Sequence, residues 1–359
     1  MRPCPALMAA RANTLRYDAE RGAVLLLDRR VYPFAVDFVE CDSVEAVARG
    51  IEDMVVQGGP PLAYAAGLGL ALAAFQGAAQ TTETQRAALQ AAARRLLATR
   101  PTADDLHHIV PEALSIAEAQ LRAGEPPGPA VLAYVEGEIA RGDEVSRACG
   151  EYAAGLLADG DRILTHCFAG AALAWMLWIA KEQGKHVHLF PTETRPYLQG
   201  ARLTAASAKE MGIPCSLITD NMPAHLMSLG RLDKFICAAD RITLDGHISN
   251  KIGTYQIALA ARRHSLPFYV LGYDGPDPHT ATGADIPIEE RDPEEVFFAR
   301  GIDPHTRQPV RVRTAVEGID GCYPAFDVTP PELIAAIVTD RGVFEPGKIR
   351  SYADRAVHG

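Results

Sequence analysis

From residue 159 to residue 271 the chain repeats one rhythm: four or five mostly apolar residues, a stretch long enough for a helix, then another apolar run. The runs are "RILTH" (162–166), "HVHLF" (186–190), "CSLIT" (215–219), "KFICA" (234–238) and "PFYVL" (267–271). Helix-length segments lie at about 170–184, 199–211, 222–230 and 252–264. Strand, helix, strand at this spacing predicts βαβ units and a parallel sheet. In an open parallel sheet, ligands bind outside the carboxyl ends of the strands, so the residues after each run are the ones to read.

The texture before Asp159-Gly160-Asp161 is different. Residues 23–41, around "AVLLLDRRVYPFAVDFVE", predict a β-hairpin turning near Asp28-Arg29-Arg30. Asp42 with Glu45 predicts a capped helix reaching about Val56. Alanine-rich helical patterns follow at about 61–78, 82–98, 105–123 and 128–157, broken by "QGGPP", "ATRPT" and "AGEPPGP". The expected organisation is a hairpin-plus-helices domain over 1–157 and an α/β catalytic domain over 158–359. The tail from 285 is less periodic, with one helix expected after Thr329-Pro330.

Composition narrows the class. A formal net charge of −10, with no Lys/Arg-rich stripe, argues against nucleic acid. No apolar run approaches the roughly 18 residues of a membrane span, and the N-terminal "MRPCPALMAARAN" does not read as a signal peptide. Seven dispersed cysteines with no CxxC pair predict reduced thiols in a cytoplasm, with neither a disulfide framework nor a zinc site. No His/Asp/Glu cluster has metal-ligand spacing, and "GLGLALAA" (67–74) is helical, so it is not a dinucleotide fingerprint.

The strand tips carry the chemistry. After 162–166 comes Cys167, then Thr192-Glu193-Thr194-Arg195 after the second run, Asp220-Asn221 after the third, and Ala239-Asp240-Arg241 after the fourth. Cys167 is expected in the first turn of the next helix, where unpaired N–H groups and the helix dipole lower a thiol's pKa. The plainer alternative is a small residue packed at a tight joint. His166 is a weaker candidate, since along a strand it points to the opposite face. Asp240, half-desolvated, would have a raised pKa and donate a proton. Otherwise it pairs with Arg241 or caps a helix. Asn250-Lys251-Ile252-Gly253-Thr254 stands before a helix, where a lysine and free amides suit a phosphate, or where the lysine is simply solvated. Cys215 and Cys237 lie inside apolar runs and read as packing residues.

Taken together, "LLLDRRVYP", "THC.AG", "ETRPYLQGARLTA", "IPCSLITDNM", "AADRI", "NKIGTY", "IPIEERDPEEV" and "PAFDVTPPELIAAIVTDRGV" resemble the methylthioribose-1-phosphate isomerase family, aldose–ketose isomerases of methionine salvage. The resemblance spans almost the whole chain. It implies a Rossmann-like parallel-sheet C-terminal domain with a smaller N-terminal helical domain, usually as a homodimer. It assigns Cys167 and Asp240 as the catalytic pair and implies substrate contacts from Arg100, Gln199, Asn250 and Lys251. No metal or organic cofactor is implied. In that chemistry an acid opens the ring of a pentose 1-phosphate, and hydrogen then moves from C2 to C1, as a proton with Cys167 as base or as a hydride.

The chain departs from the family pattern at the phosphate-side loop, which reads Gln57-Gly58-Gly59-Pro60-Pro61-Leu62-Ala63 where Arg-Gly-Ala-Pro-Ala-Ile-Gly is usual. The arginine's charge is gone, while Gly58 and Gly59 still permit close backbone approach. Phe168 and Tyr323 each stand where an asparagine is usual, and the segment between Cys167 and Lys185 is shortened, as in the related ribose-1,5-bisphosphate isomerases. Another 5-modified or 5-deoxy pentose 1-phosphate is therefore an alternative substrate. Non-catalytic regulatory subunits of the translation-initiation exchange factor share the fold and are the competing class.

Overall fold

The structure is a computed structural model that describes residues 2–100 and 104–355. Its residues fall into two compact units: Ala10–Asp143, and a larger one made of Glu144 onward together with the segment before Ala10.

In the first unit β1 (Leu15–Asp18), β2 (Ala23–Leu27) and β3 (Phe38–Cys41) form an antiparallel sheet in that order. The expected hairpin is the β2–β3 pair, with Leu27 opposite Phe38, and β1 adds a third strand that the pattern did not signal. α1 (Val44–Glu52) starts from Ser43, whose Oγ accepts the Ala46 N–H at 3.2 Å. The cap is therefore Ser43 and not Asp42, because a hydroxyl three residues before the amide it accepts from sits one position later. α2 (Gly59–Gln76), α3 (Thr82–Leu97), α4 (Asp104–Ala123) and the start of α5 (Pro127–Ala154) follow the expected spans. α2 is apolar on nearly every face, so it is buried all round among α1, α3 and α4.

The larger unit holds a six-stranded sheet. β4 (Arg162–Thr165), β5 (His188–Pro191), β6 (Lys234–Ala238), β9 (Phe268–Leu271) and β13 (Ala336–Thr339) run parallel, and β14 (Gly342–Phe344) closes one edge antiparallel. The order is β14-β13-β9-β6-β4-β5. α6 (Gly170–Glu182) and α7 (Ala205–Glu210) cover one face, while α8 (Pro223–Ser228) and α9 (Thr254–Arg263) cover the other. Along β6, Phe235 and Cys237 pack to one side and Ile236 to the other, all buried. That two-sided burial is why successive positions of the run, Phe235-Ile236-Cys237, are all apolar.

Beside this sheet, β7 (Arg241–Ile242), β8 (Ile248–Lys251) and β12 (Phe326–Thr329) form a small antiparallel sheet in the order β12-β8-β7. β10 (Phe298–Ile302) and β11 (Pro309–Arg313) make a separate hairpin. Two expectations fail here. Residues 215–219 form no named strand and pair with the β5 edge through the isolated bridges Leu189–Cys215 and Thr192–Ile218, with Ser216 Oγ 2.9 Å from His188 Nε2. Leu217 is half exposed at this outer edge, where no further strand stands beyond to complete a ladder. The helix expected after Pro330 is a single turn, Pro331–Leu333, followed by β13. Ile337 and Val338 are fully buried on opposite faces of the sheet, and that two-residue period decides for a strand.

Among the described residues no helix is long and apolar enough to cross a membrane.

Candidate active site

Taken in chain order, the parallel strands β4, β5, β6, β9 and β13 stand as second, first, third, fourth and fifth across the sheet. The first connection therefore runs outward and the next returns to the other side of β4. The switch point falls between β4 and β6, which pair directly through Ile163–Lys234 and Leu164–Phe235. A crevice opens at the carboxyl ends of two such strands. Cys167 follows one of them and Asp240 the other.

Cys167 does not lie in the first helical turn. α6 begins at Gly170, and Cys167 is held before it with φ +64. A non-glycine residue in this region costs on the order of 1–3 kcal/mol and needs support from its surroundings. The Cys167 N–H donates to Thr194 Oγ1 at 2.9 Å, and its carbonyl accepts from Thr204 Oγ1 at 2.7 Å. Thr194, itself at φ +61, is fixed in turn by Asp220, which accepts the N–H groups of Thr194 and Arg195 at 2.8 and 2.7 Å. Gly200 lets this loop close, since a Cβ there would lie 1.8 Å from the Thr192 carbonyl oxygen. Asp220 and Thr194, polar rim residues in the sequence, thus act as the brace of Cys167, and no sequence signal marked Thr204.

The expected lowering of the Cys167 pKa is overturned. Burial pushes the thiol up to about 12; Lys251 pulls it down and Asp240 adds to the rise. Desolvation outweighs one neighbouring cation, and the helix N-terminus is three residues too far on to compensate. Cys167 keeps partial solvent access, so this burial reflects protein crowded around an accessible side chain.

Asp240 has the same character. It is exposed, its carboxyl makes no hydrogen bond or ion pair among the described residues, and yet its pKa is raised, first by desolvation and then by Glu289, against Lys251. It is thus open to solvent and at the same time crowded by protein. Neither plainer alternative holds, because Arg241 pairs with Asp277 at 3.0 Å and Asp240 caps no helix.

Lys251 is 6 % exposed, with its ammonium 4.2 Å from the centre of the Phe326 ring and no carboxylate paired to it among the described residues. It is not the solvated lysine of the alternative reading. The amides expected beside it are taken: Asp327 accepts the N–H groups of Gly253 and Tyr255 at 2.7 and 3.1 Å, filling the α9 N-terminus. Lys251 therefore stands as a buried cation without free amides beside it. Asn250 is buried and donates through Nδ2 to Thr254 Oγ1 at 2.9 Å and to Cys237 Sγ at 3.4 Å. Gln199 has a buried Oε1 with no hydrogen-bond partner.

His166 is a spacer. Its Nε2–H donates to the Ile252 carbonyl at 2.9 Å, so Nδ1 accepts from Thr192 Oγ1 at 2.6 Å, and burial lowers its pKa and keeps it neutral.

Gln57, Gly58, Gly59 and Arg100 gather in the first unit, at the start of α2. Gln57 Nε2 donates to the Met54 carbonyl at 2.9 Å, Arg100 Nη2 lies against Met54 Sδ, and Gly58 is the α2 N-cap with φ +87. The arginine missing at position 57 does not leave the loop without a cation. Arg29 Nη1 donates to the Gln57 carbonyl at 2.6 Å, from a residue 28 positions earlier that sequence spacing could not connect to it.

Among the described residues no group of three or more His, Cys, Asp or Glu side chains could hold a metal ion.

The fold and site together are a parallel α/β sheet whose switch point is flanked by a carboxyl group of raised pKa, a protonated thiol and a buried ammonium. The profile of the initiation factor 2 subunit family matches residues 55–346. The chain is 42% identical over 337 residues to the methylthioribose-1-phosphate isomerase of Chloroflexus aurantiacus, covering 91% of this chain and 94% of the relative. The solved 5-methylthioribose 1-phosphate isomerase of Pyrococcus horikoshii superposes with a TM-score of 0.80 at 34% identity, covering 95% of both chains. A structure described as translation initiation factor eIF-2B, subunit delta, from A. fulgidus does so with 0.79 at 34%, covering 93% of this chain and 96% of that one. The chain belongs to the methylthioribose-1-phosphate isomerases within the initiation factor 2 subunit family.

Proposed function

We propose that this chain converts 5-methylthioribose 1-phosphate to 5-methylthioribulose 1-phosphate, with Asp240 as proton donor and Cys167 as the stabiliser of the transition state. The observation that carries the reading is the meeting of a raised-pKa carboxyl group and a raised-pKa thiol at adjacent strand tips, beside an unpaired buried lysine. Asp240 protonates the ring oxygen, which opens the ring and leaves C1 electron-poor. Hydrogen leaves C2 with its electron pair for C1, and the C2 hydroxyl gives up its proton, which restores the acid. The raised thiol pKa favours this hydride route, because ionising Cys167 at pH 7.5 would add about 6 kcal/mol to a proton-abstraction path. A protonated Cys167 instead offers a hydrogen bond to charge developing on substrate oxygen. Lys251 takes the phosphate, Gln199 and Asn250 line the sugar, and the loop Gln57-Gly58-Gly59 with Arg100 supplies further substrate contacts.

The same reading divides the work between a helical domain (1–157) and a Rossmann-like catalytic domain (158–359), in a cytoplasmic homodimer. Exposed Leu217, Met222, Leu229, Tyr255 and Leu259, on and around α8 and α9, support self-association, which light scattering tests.

The test is ketose formation from 5-methylthioribose 1-phosphate and other 5-substituted ribose 1-phosphates. Cys167→Ser and Asp240→Asn should each lower kcat by roughly 100- to 10,000-fold. The melting temperature of Asp240→Asn should not fall, because the carboxyl has no partner to lose. Near-full turnover by either variant ends the assignment. Wild type that converts none of these sugars favours the regulatory class.

A further inference from the structure

Among the buried polar atoms without a hydrogen-bond partner are Thr165 Oγ1 at the end of β4, Gln199 Oε1 and Tyr323 Oη. Tyr323 is 3 % exposed. Its position follows from the backbone. The Ala325 carbonyl accepts from Ile252 N–H at 3.0 Å, and Phe326 lies opposite Lys251, so residues 323–325 run antiparallel along 252 and 253. A Cβ on Gly253 would lie 3.1 Å from His166 Nε2, and His166 precedes Cys167. On its other side, Tyr323 is held by the Arg291 N–H donating to its carbonyl at 2.9 Å, with the Arg291 guanidinium 5.8 Å from the ring centre.

A buried hydroxyl without a partner costs stability, and a native fold keeps one where something outside the protein satisfies it. We propose that Tyr323 is a substrate-contacting residue whose hydroxyl donates a hydrogen bond to an oxygen of the bound sugar phosphate on the Cys167 side of the crevice. This rests on the isomerase reading of the site and adds a donor to it. Burial pushes the phenol up to about 12, with Cys167 and Glu289 opposing its ionisation, so it stays protonated through the working range. A phenol also fills more of the crevice than a short amide would, placing a rigid ring next to the reacting carbons.

Tyr323→Phe separates this role from a structural one, because the ring and its packing remain. The free variant should melt at the same temperature as wild type or higher, while kcat/KM for 5-methylthioribose 1-phosphate falls roughly 10- to 100-fold and the melting shift produced by that sugar shrinks. Equal kcat/KM in variant and wild type overturns the proposal. So does a variant that melts several degrees lower without the sugar, since the hydroxyl would then have a partner inside the fold. If wild type shows no turnover, the isomerase reading fails, and calorimetry with the same sugar still decides on Tyr323. Weaker binding by the variant supports it, while equal binding, or none by wild type, overturns it.

Discussion

The protonated state of Cys167 can be measured directly. With its pKa pushed up to about 12, only ~0.01 % of the thiol is ionised at pH 8, against roughly a quarter for a free cysteine of pKa about 8.5. The thiolate that does form is the stronger nucleophile, which returns about one and a half powers of ten. The net expectation is alkylation by iodoacetamide roughly fiftyfold slower than that of free cysteine at pH 8. The rate should rise close to tenfold per pH unit from 7 to 10 without a plateau. Peptide mass spectrometry over a time course reads this site by site, and exposed Cys322 reports that the reagent reached the protein. Lys251→Met should slow Cys167 further, because the ammonium is the first influence lowering its pKa. A rate that levels off near pH 8, or that matches free cysteine, would refute the claim that desolvation outweighs Lys251, and the argument for a neutral thiol in the mechanism would go with it.

Gly200→Ala should disable the site from a distance. Its Cβ would lie 1.8 Å from the Thr192 carbonyl, so the loop that braces Cys167 through Thr194 must move. Stability should fall by about 1–3 kcal/mol and activity with it; a variant with wild-type melting and turnover would show that the brace is dispensable. Asp327 gives a pH test. Burial raises its carboxyl from the usual 3.8 to about 6, against the Gly253 and Tyr255 amides that pull it down. A folded-state value above the unfolded one means the contribution is full below pH 3.8 and lost as pH rises through 6. Wild type should therefore lose at most about 3 kcal/mol relative to Asp327→Asn between pH 4 and pH 7, read from denaturant titrations at both. An unchanged gap would mean the carboxyl titrates near its ordinary value.

The sequence alone determined what local periodicity and residue chemistry encode. Short apolar runs at βαβ spacing marked a parallel sheet, and the residues after "RILTH" and "KFICA" named Cys167 and Asp240 before any strand was paired. Periodicity says which face a side chain occupies, however, and not which strand lies beside which. The strand order that makes β4 and β6 neighbours came from the tertiary structure, as did the placing of Ala336–Thr339 in the sheet as β13, where burial on two faces overrode a helical-looking stretch. Ionisation was equally beyond local reading. The motif promised Cys167 a helix N-terminus, but its pKa is set by all the protein packed around it, and the amides before α9 were already bound by Asp327 from 74 positions away. Arg29 against Gln57 is the same lesson in the other unit. Desolvation and long-range pairing are sums over neighbours that the chain brings together only on folding.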